Sequence, residues 1–152
     1  MSQRIYRVCR AIHARLDGEG AKLVGARWNS PGRPVVYMAE AVSLAVLENL
    51  VHMAREDFPT GYVVVAAVVP EEVQMLTEKD LEVRFTGTSQ KHLGDQWFDS
   101  RDSAVLRVRS SVVPFEHIYL LNPRHPDFAA IAVEPAVPFV FDERLFASGQ
   151  HR

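Results

Sequence analysis

Residues Tyr62 to Val69 read YVVVAAVV, eight residues in a row without a charge or an amide side chain, closed by Pro70. A run of β-branched and small apolar residues of this length has the composition of a strand covered on both faces. It therefore needs a chain long enough to cover it. With 152 residues, 47% of them hydrophobic and 24% charged, the chain can bury such a core in one globular domain without disulfide or metal staples. The nine prolines and eight glycines are spread along the chain, and no repeat, linker or low-complexity tract interrupts it. One domain over residues 1–147 is expected, with only Ser148 to Arg152 reading as a frayed tail.

Other elements follow from local pattern. Arg4 to Cys9 (RIYRVC) alternates like a short strand, and Asp17, Gly18 and Gly20 mark a loop behind it. Gly25 to Pro34 packs turn formers around Arg27 and Trp28 before a strand over Val35 to Ala39. From Ala41 to Glu56 the pattern is helical, with Leu44, Leu47, Val51 and Ala54 on one side, and Asp57 to Gly61 stops it. Glu71 to Lys91 reads as irregular, with a strand around Leu81 to Phe85. Gly94-Asp95-Gln96-Trp97 reads as a loop that packs its tryptophan on the core. Strands follow at Ala104 to Val113, His117 to Leu121 and Val137 to Phe141, and Asn122 to Pro126 reads as a turn. Strands do not alternate regularly with helices, so the fold class expected is α+β, a single mixed domain with a strand-rich core, rather than a doubly wound parallel sheet.

Several function classes drop out. A net charge of -2 argues against a domain built to neutralise nucleic-acid phosphates. Cys9 is the only cysteine, which excludes an intrachain disulfide and a cysteine-based zinc site and suits a reducing cytosol. The six histidines form no HExxH-like group, so no metal site is expected. No stretch reaches the ~20 apolar residues of a membrane helix, and the first ten residues lack a signal-peptide core. A soluble, cytoplasmic protein is expected. Neither GxGxxG nor GxxxxGK[ST] occurs, so a nucleotide site would have to be built another way.

Four sites stand out as candidates for chemistry, the last of them a pair of serines. Glu48 lies at the edge of the apolar arc of its helix, one turn from Leu44 and from His52; it reads either as a partly desolvated, functional carboxylate or as a surface glutamate paired with His52 or Arg55. Arg27, in its turn-rich loop, could grip a phosphate or carboxylate with its planar fork, or stack on Trp28. Tyr37 reads as a half-buried strand tyrosine or as an aromatic platform for a planar ring. Ser110 and Ser111 read as strand hydroxyls, one on each face, and no GxSxG elbow surrounds them.

Six segments in order, GARWNSPGRPVVYMAE (Gly25 to Glu40), SLAVLENLVH (Ser43 to His52), LGDQW (Leu93 to Trp97), AVLRVRSSVVP (Ala104 to Pro114), YLLNPRHPDF (Tyr119 to Phe128) and PFVFDERL (Pro138 to Leu145), resemble the RES domain, named for Arg, Glu and Ser. The resemblance places the family's arginine on Arg27, its tyrosine on Tyr37, its glutamate on Glu48 and its serine on Ser110. Ala26, Arg109-Ser110-Ser111 and Ile118 depart from the usual residues. The resemblance implies a fold similar to ADP-ribosyltransferases and the toxin half of a RES-Xre pair. The implied activity breaks down NAD⁺ by phosphorolysis or hydrolysis, with NAD⁺ as substrate, inorganic phosphate as a co-substrate and no separate cofactor. In that scheme Glu48 stabilises an oxocarbenium-like transition state, Arg27 anchors the pyrophosphate, Tyr37 stacks near the nicotinamide and Ser110 bonds the nicotinamide ribose. Implied partners are an Xre-type helix-turn-helix antitoxin and a second copy of the chain. Transfer of ADP-ribose to a protein and an inert binding module are the competing readings.

Overall fold

The computed structural model describes residues 1–54 and 56–146. The expected fraying of Ser148 to Arg152, and the pairing of Glu48 with Arg55, fall outside the described residues. Among the described residues eight strands form one sheet: β1 (Gln3–Arg10), β2 (Val36–Ala39), β3 (Tyr62–Val69), β4 (Met75–Thr77), β5 (Val105–Arg109), β6 (His117–Leu121), β7 (Ala132–Val133) and β8 (Val137–Phe139). The order is β4-β5-β6-β2-β1-β3-β7, with β8 on the other stretch of the same β3 edge. Every pair is antiparallel except β4 with β5. Among the described residues four α-helices accompany the sheet: α1 (Glu19–Val24), α2 (Val42–Leu50), α3 (Glu78–Arg84) and α4 (Gln90–Ser100). This is the α+β single domain expected from the sequence.

The apolar run β3 pairs along its whole length with β1, from Gln3↔Val69 to Arg10↔Tyr62. Its odd-numbered residues Val63, Val65, Ala67 and Val69 are buried among Ile5, Met38, Leu121 and Ile131 on one face. The opposite face carries the second core, where Leu44 of α2, Leu81 of α3 and Trp97 and Phe98 of α4 meet Leu106, Val108, Ile118 and Leu120. Phe141 anchors that core's rim through edge-on contacts with Tyr62, Phe139 and Phe146. Alternation along β5 and β6 sends successive side chains to the two cores, as a period of two requires.

Several local expectations are corrected. Leu81 to Phe85 belongs to α3 and its C-terminal boundary, not to a strand, because Thr77 and Asp80 form a reciprocal capping box that starts a helix at Glu78. Gly94 to Trp97 lies inside α4, capped by the Ser89 hydroxyl accepting from the His92 amide at 3.0 Å. The glycine that looked like a loop marker is there for clearance: a Cβ at Gly94 would lie 1.8 Å from the Trp28 carbonyl oxygen. The segment behind Asp17 is likewise a short helix, with Asp17 Oδ1 accepting from the Glu19 amide at 3.1 Å. Helix α2 ends at Leu50, and of the apolar row drawn for it Leu44 is buried, beside Ala45, whereas Leu47 and Val51 are 40% and 56% exposed. The strand drawn to Val113 ends at Arg109, and that drawn to Phe141 ends at Phe139. The turn at Asn122 is present, with Asn122 Oδ1 accepting from the Arg124 amide at 2.9 Å.

Candidate active site

Strands β1 and β2 are paired only at Tyr6↔Ala39. Beyond that point they part, and Arg7 donates from Nη1 to the Tyr37 carbonyl at 3.2 Å. A cleft of about 590 Å³ opens there, lined by Arg7, Arg27, Tyr37, Glu48, His52 and Ser111 among others. The tertiary fold thus brings three of the four sequence candidates, Arg27, Tyr37 and Glu48, onto one concave surface.

The fourth, Ser110, is 2% exposed and sits behind Glu48. Its hydroxyl donates to Glu48 Oε2 at 2.7 Å, while its oxygen accepts the amides of Val112 and Val113, each at 3.0 Å. Those two amide bonds turn the chain out of β5 just past Arg109, which is why the strand stops short of the serine pair. The two hydroxyls therefore do not alternate across a strand: Ser110 holds the carboxylate, and Ser111 lines the cleft. His52, one turn along from Glu48, also lines the cleft.

The loop carrying Arg27 is rigidly framed. Gly25 takes φ 75°, a backbone conformation that favours glycine, and an Ala26–Asn29 bridge closes the turn. Asn29 is fully buried and donates to the carbonyls of Ala21, Ser30 and Arg33 at 3.0, 3.1 and 3.2 Å. Its Oδ1 accepts from the Tyr37 hydroxyl at 2.7 Å, and the same phenol oxygen accepts the Trp28 amide at 3.0 Å. Burial pushes the Tyr37 phenol well above its ordinary pKa, opposed in part by the Trp28 amide. The ring of Tyr37 thus lines the cleft while its hydroxyl pins the arginine loop. On the other side, the Ser30 amide and hydroxyl donate to the Asp95 carboxylate at 2.7 and 2.6 Å, and Arg33 forms a two-point pair with Asp99 at 2.9 and 2.7 Å. That pairing holds the Asp99 carboxyl below its ordinary pKa. The Leu93–Trp97 motif therefore serves the site from behind, through α4.

Tyr37→Phe separates the two roles of this residue. The ring stays, but Asn29 Oδ1 and the Trp28 amide lose a buried partner, so stability is expected to fall by about 1–3 kcal/mol. Urea unfolding checks it; an unchanged midpoint would mean the phenol is not holding the loop.

Arg7 was missed by sequence reasoning, which gave it only a place in an alternating strand. Its one signal was a charge flanked by Tyr6 and Val8 in mid-strand. Among the described residues no carboxylate lies within ion-pair distance of Arg7 or Arg27, in contrast to Arg4, which pairs with Glu134 at 2.6 Å. Two arginines with no ion-pair partner among the described residues, in one cleft with an oriented carboxylate, make a site suited to an anionic ligand that places a developing positive charge near Glu48.

The RES domain model matches residues 4–142. The chain is 36% identical over 149 residues to Toxin Res of Photorhabdus laumondii, an alignment covering 93% of this chain and 96% of that protein. It is also 36% identical over 138 residues to the Prs ADP-ribosylating toxin of a Sphingobium species, covering 86% of each. With Toxin Res of Pseudomonas putida the identity is 36% over 142 residues, covering 90% of this chain and 96% of that one. Among solved structures, the M. tuberculosis MbcT–MbcA toxin–antitoxin complex contains a chain that superposes with a TM-score of 0.66 at 17% identity, over 92% of this chain and 85% of the other. The chain belongs to the RES domain family.

Proposed function

We propose that this chain is the toxin of a toxin–antitoxin pair and that it cleaves the nicotinamide–ribose bond of NAD⁺, passing the ADP-ribosyl group to inorganic phosphate or water. The observation that carries this reading is Glu48, oriented by Ser110 inside a cleft whose two arginines have no carboxylate partner among the described residues. The names of the relatives from Photorhabdus and Pseudomonas support the toxin part of this reading, and that of the Sphingobium relative supports chemistry on an ADP-ribosyl group.

Nicotinamide leaves as a neutral molecule from a cationic pyridinium, so no general acid is required at the leaving group. Positive charge builds on the ribose C1′ and ring oxygen, and a fixed carboxylate facing it lowers the barrier. Glu48 takes that role. Ser110 acts by fixing the carboxylate, since its proton and its oxygen are already committed to Glu48 and to the two valine amides. Arg27 and Arg7 hold the pyrophosphate, and the Tyr37 ring offers a face to the nicotinamide. Attack of phosphate at C1′ yields nicotinamide and ADP-ribose 1″-phosphate; attack of water yields nicotinamide, ADP-ribose and a proton.

Transfer to a protein side chain is the second reading, favoured by the name of the Sphingobium relative. An inert binding module, the third, leaves the Glu48–Ser110 pair without a purpose. An antitoxin partner is supported by the structural neighbour, a toxin–antitoxin complex. An Xre-type helix-turn-helix protein would silence the enzyme by inserting an acidic segment toward Arg27, and the toxin itself would form a homodimer. Incubation of the pure protein with NAD⁺, with and without phosphate, tests the chemistry. Free nicotinamide with ADP-ribose or its 1″-phosphate supports it; NAD⁺ left intact, or ADP-ribose found only on added protein, overturns it.

A further inference from the structure

The cleft around Glu48 adjoins a second concavity of about 470 Å³, and Arg7, Ala26 and Tyr37 line both. Both volumes fall within the ~300–1,000 Å³ typical of small-molecule sites. The second compartment has a different chemistry from the first. Ile12 and Val24 line it and are 80% and 79% exposed, whereas Val35 and Val36 beneath it are buried in the cores. Two branched aliphatic side chains left uncovered at a concave surface suit a flat ring laid against them. Asp17 also lines it; one of its oxygens caps α1 through the Glu19 amide, and a carboxylate has acceptor capacity beyond one bond.

We propose that this second compartment binds the adenosine end of NAD⁺, its ring against Ile12 and Val24 and its ribose hydroxyls toward Asp17. The inference rests on reading the Glu48 cleft as the site of NAD⁺ cleavage. A dinucleotide has two nucleoside ends joined by a doubly anionic bridge; here two compartments meet at Arg7, a cation without an ion-pair partner among the described residues. The bond that breaks must lie beside Glu48, which lines only the first compartment and its small extension, so the adenosine end falls in the other.

Gly20 offers a clean test, because it lines this compartment on α1 and a Cβ built there meets nothing within 4 Å. Gly20→Trp is expected to weaken ADP binding, measured by calorimetry, and to raise KM for NAD⁺, each by ~10-fold or more. Cleavage of nicotinamide mononucleotide, which lacks the adenosine end, should not change. Val24→Asp, an exposed position that brings a like charge toward a polyanion, should act in the same direction and carries the test if the tryptophan variant fails to fold. Failure of the wild type to bind ADP overturns the proposal. So does equal ADP affinity in wild type and variants, or equal loss of both substrates in a folded variant. A wild type that binds ADP in a Gly20-dependent way but cleaves no NAD⁺ upholds the compartment and overturns the catalytic reading instead.

Discussion

Glu48→Gln is expected to lower nicotinamide release from NAD⁺ by ~10²-fold or more, the usual size of a lost transition-state electrostatic contact. The substitution keeps the shape of the side chain, and the amide oxygen of glutamine can still accept the Ser110 hydroxyl, so the melting temperature should hardly move. What is lost is the charge that faces the ribose. Ser110→Ala provides the companion measurement: the carboxylate remains, but its tether and the acceptor for the Val112 and Val113 amides are gone. Activity should fall by a smaller factor and stability should fall as well. Ser111→Ala, on the cleft wall, leaves the tether intact and should fall less still. Near wild-type turnover in Glu48→Gln would remove the carboxylate from the chemistry and with it the central claim.

Gly94→Ala should be strongly destabilising. The new Cβ would stand 1.8 Å from the Trp28 carbonyl oxygen and 2.7 Å from its carbonyl carbon. Both contacts are backbone, so no rotamer change relieves them, and α4 must move away from the Arg27 loop. Forced overpacking of this kind costs about 1–3 kcal/mol, and the upper end is expected here. For a chain of this size that corresponds to a fall in Tm of about 6–12 °C. The same shift pulls Asp95 from Ser30 and Asp99 from Arg33, so NAD⁺ affinity should fall with stability. Gly20→Ala, with no neighbour within 4 Å and inside a helix, serves as the control and should be neutral or slightly stabilising. Calorimetric scans of the two variants decide it; equal midpoints would mean that the helix and loop are not in the contact described.

Elements with a strong local signal were legible in the sequence. The YVVVAAVV run has the composition of a covered strand, and the apolar run at His117 to Leu121 and the turn chemistry at Asn122 were read without tertiary information. Gln90–Ser100 was misread because Gly94 has the same local signature whether it breaks a helix or admits a neighbouring carbonyl, and only the approach of Trp28 distinguishes the two. The apolar row Leu44, Leu47, Val51 and Ala54 was misread for a related reason: periodicity shows that a stripe exists, not which side of a nine-residue helix the sheet will take. The residues of the site divide in the same way. Arg27, Tyr37, Glu48 and Ser110 were named by motif order along the chain. That Ser110 lies behind Glu48 depends on two amide bonds that end β5, and that Tyr37 pins the arginine loop depends on a phenol reaching Asn29 from the next strand. Arg4 and Arg7 look alike in sequence, three residues apart on one strand. Pairing with Glu134 on the β7 side occupies Arg4, whereas the parting of β1 from β2 leaves Arg7 facing the cleft, and that is decided by strand register in three dimensions.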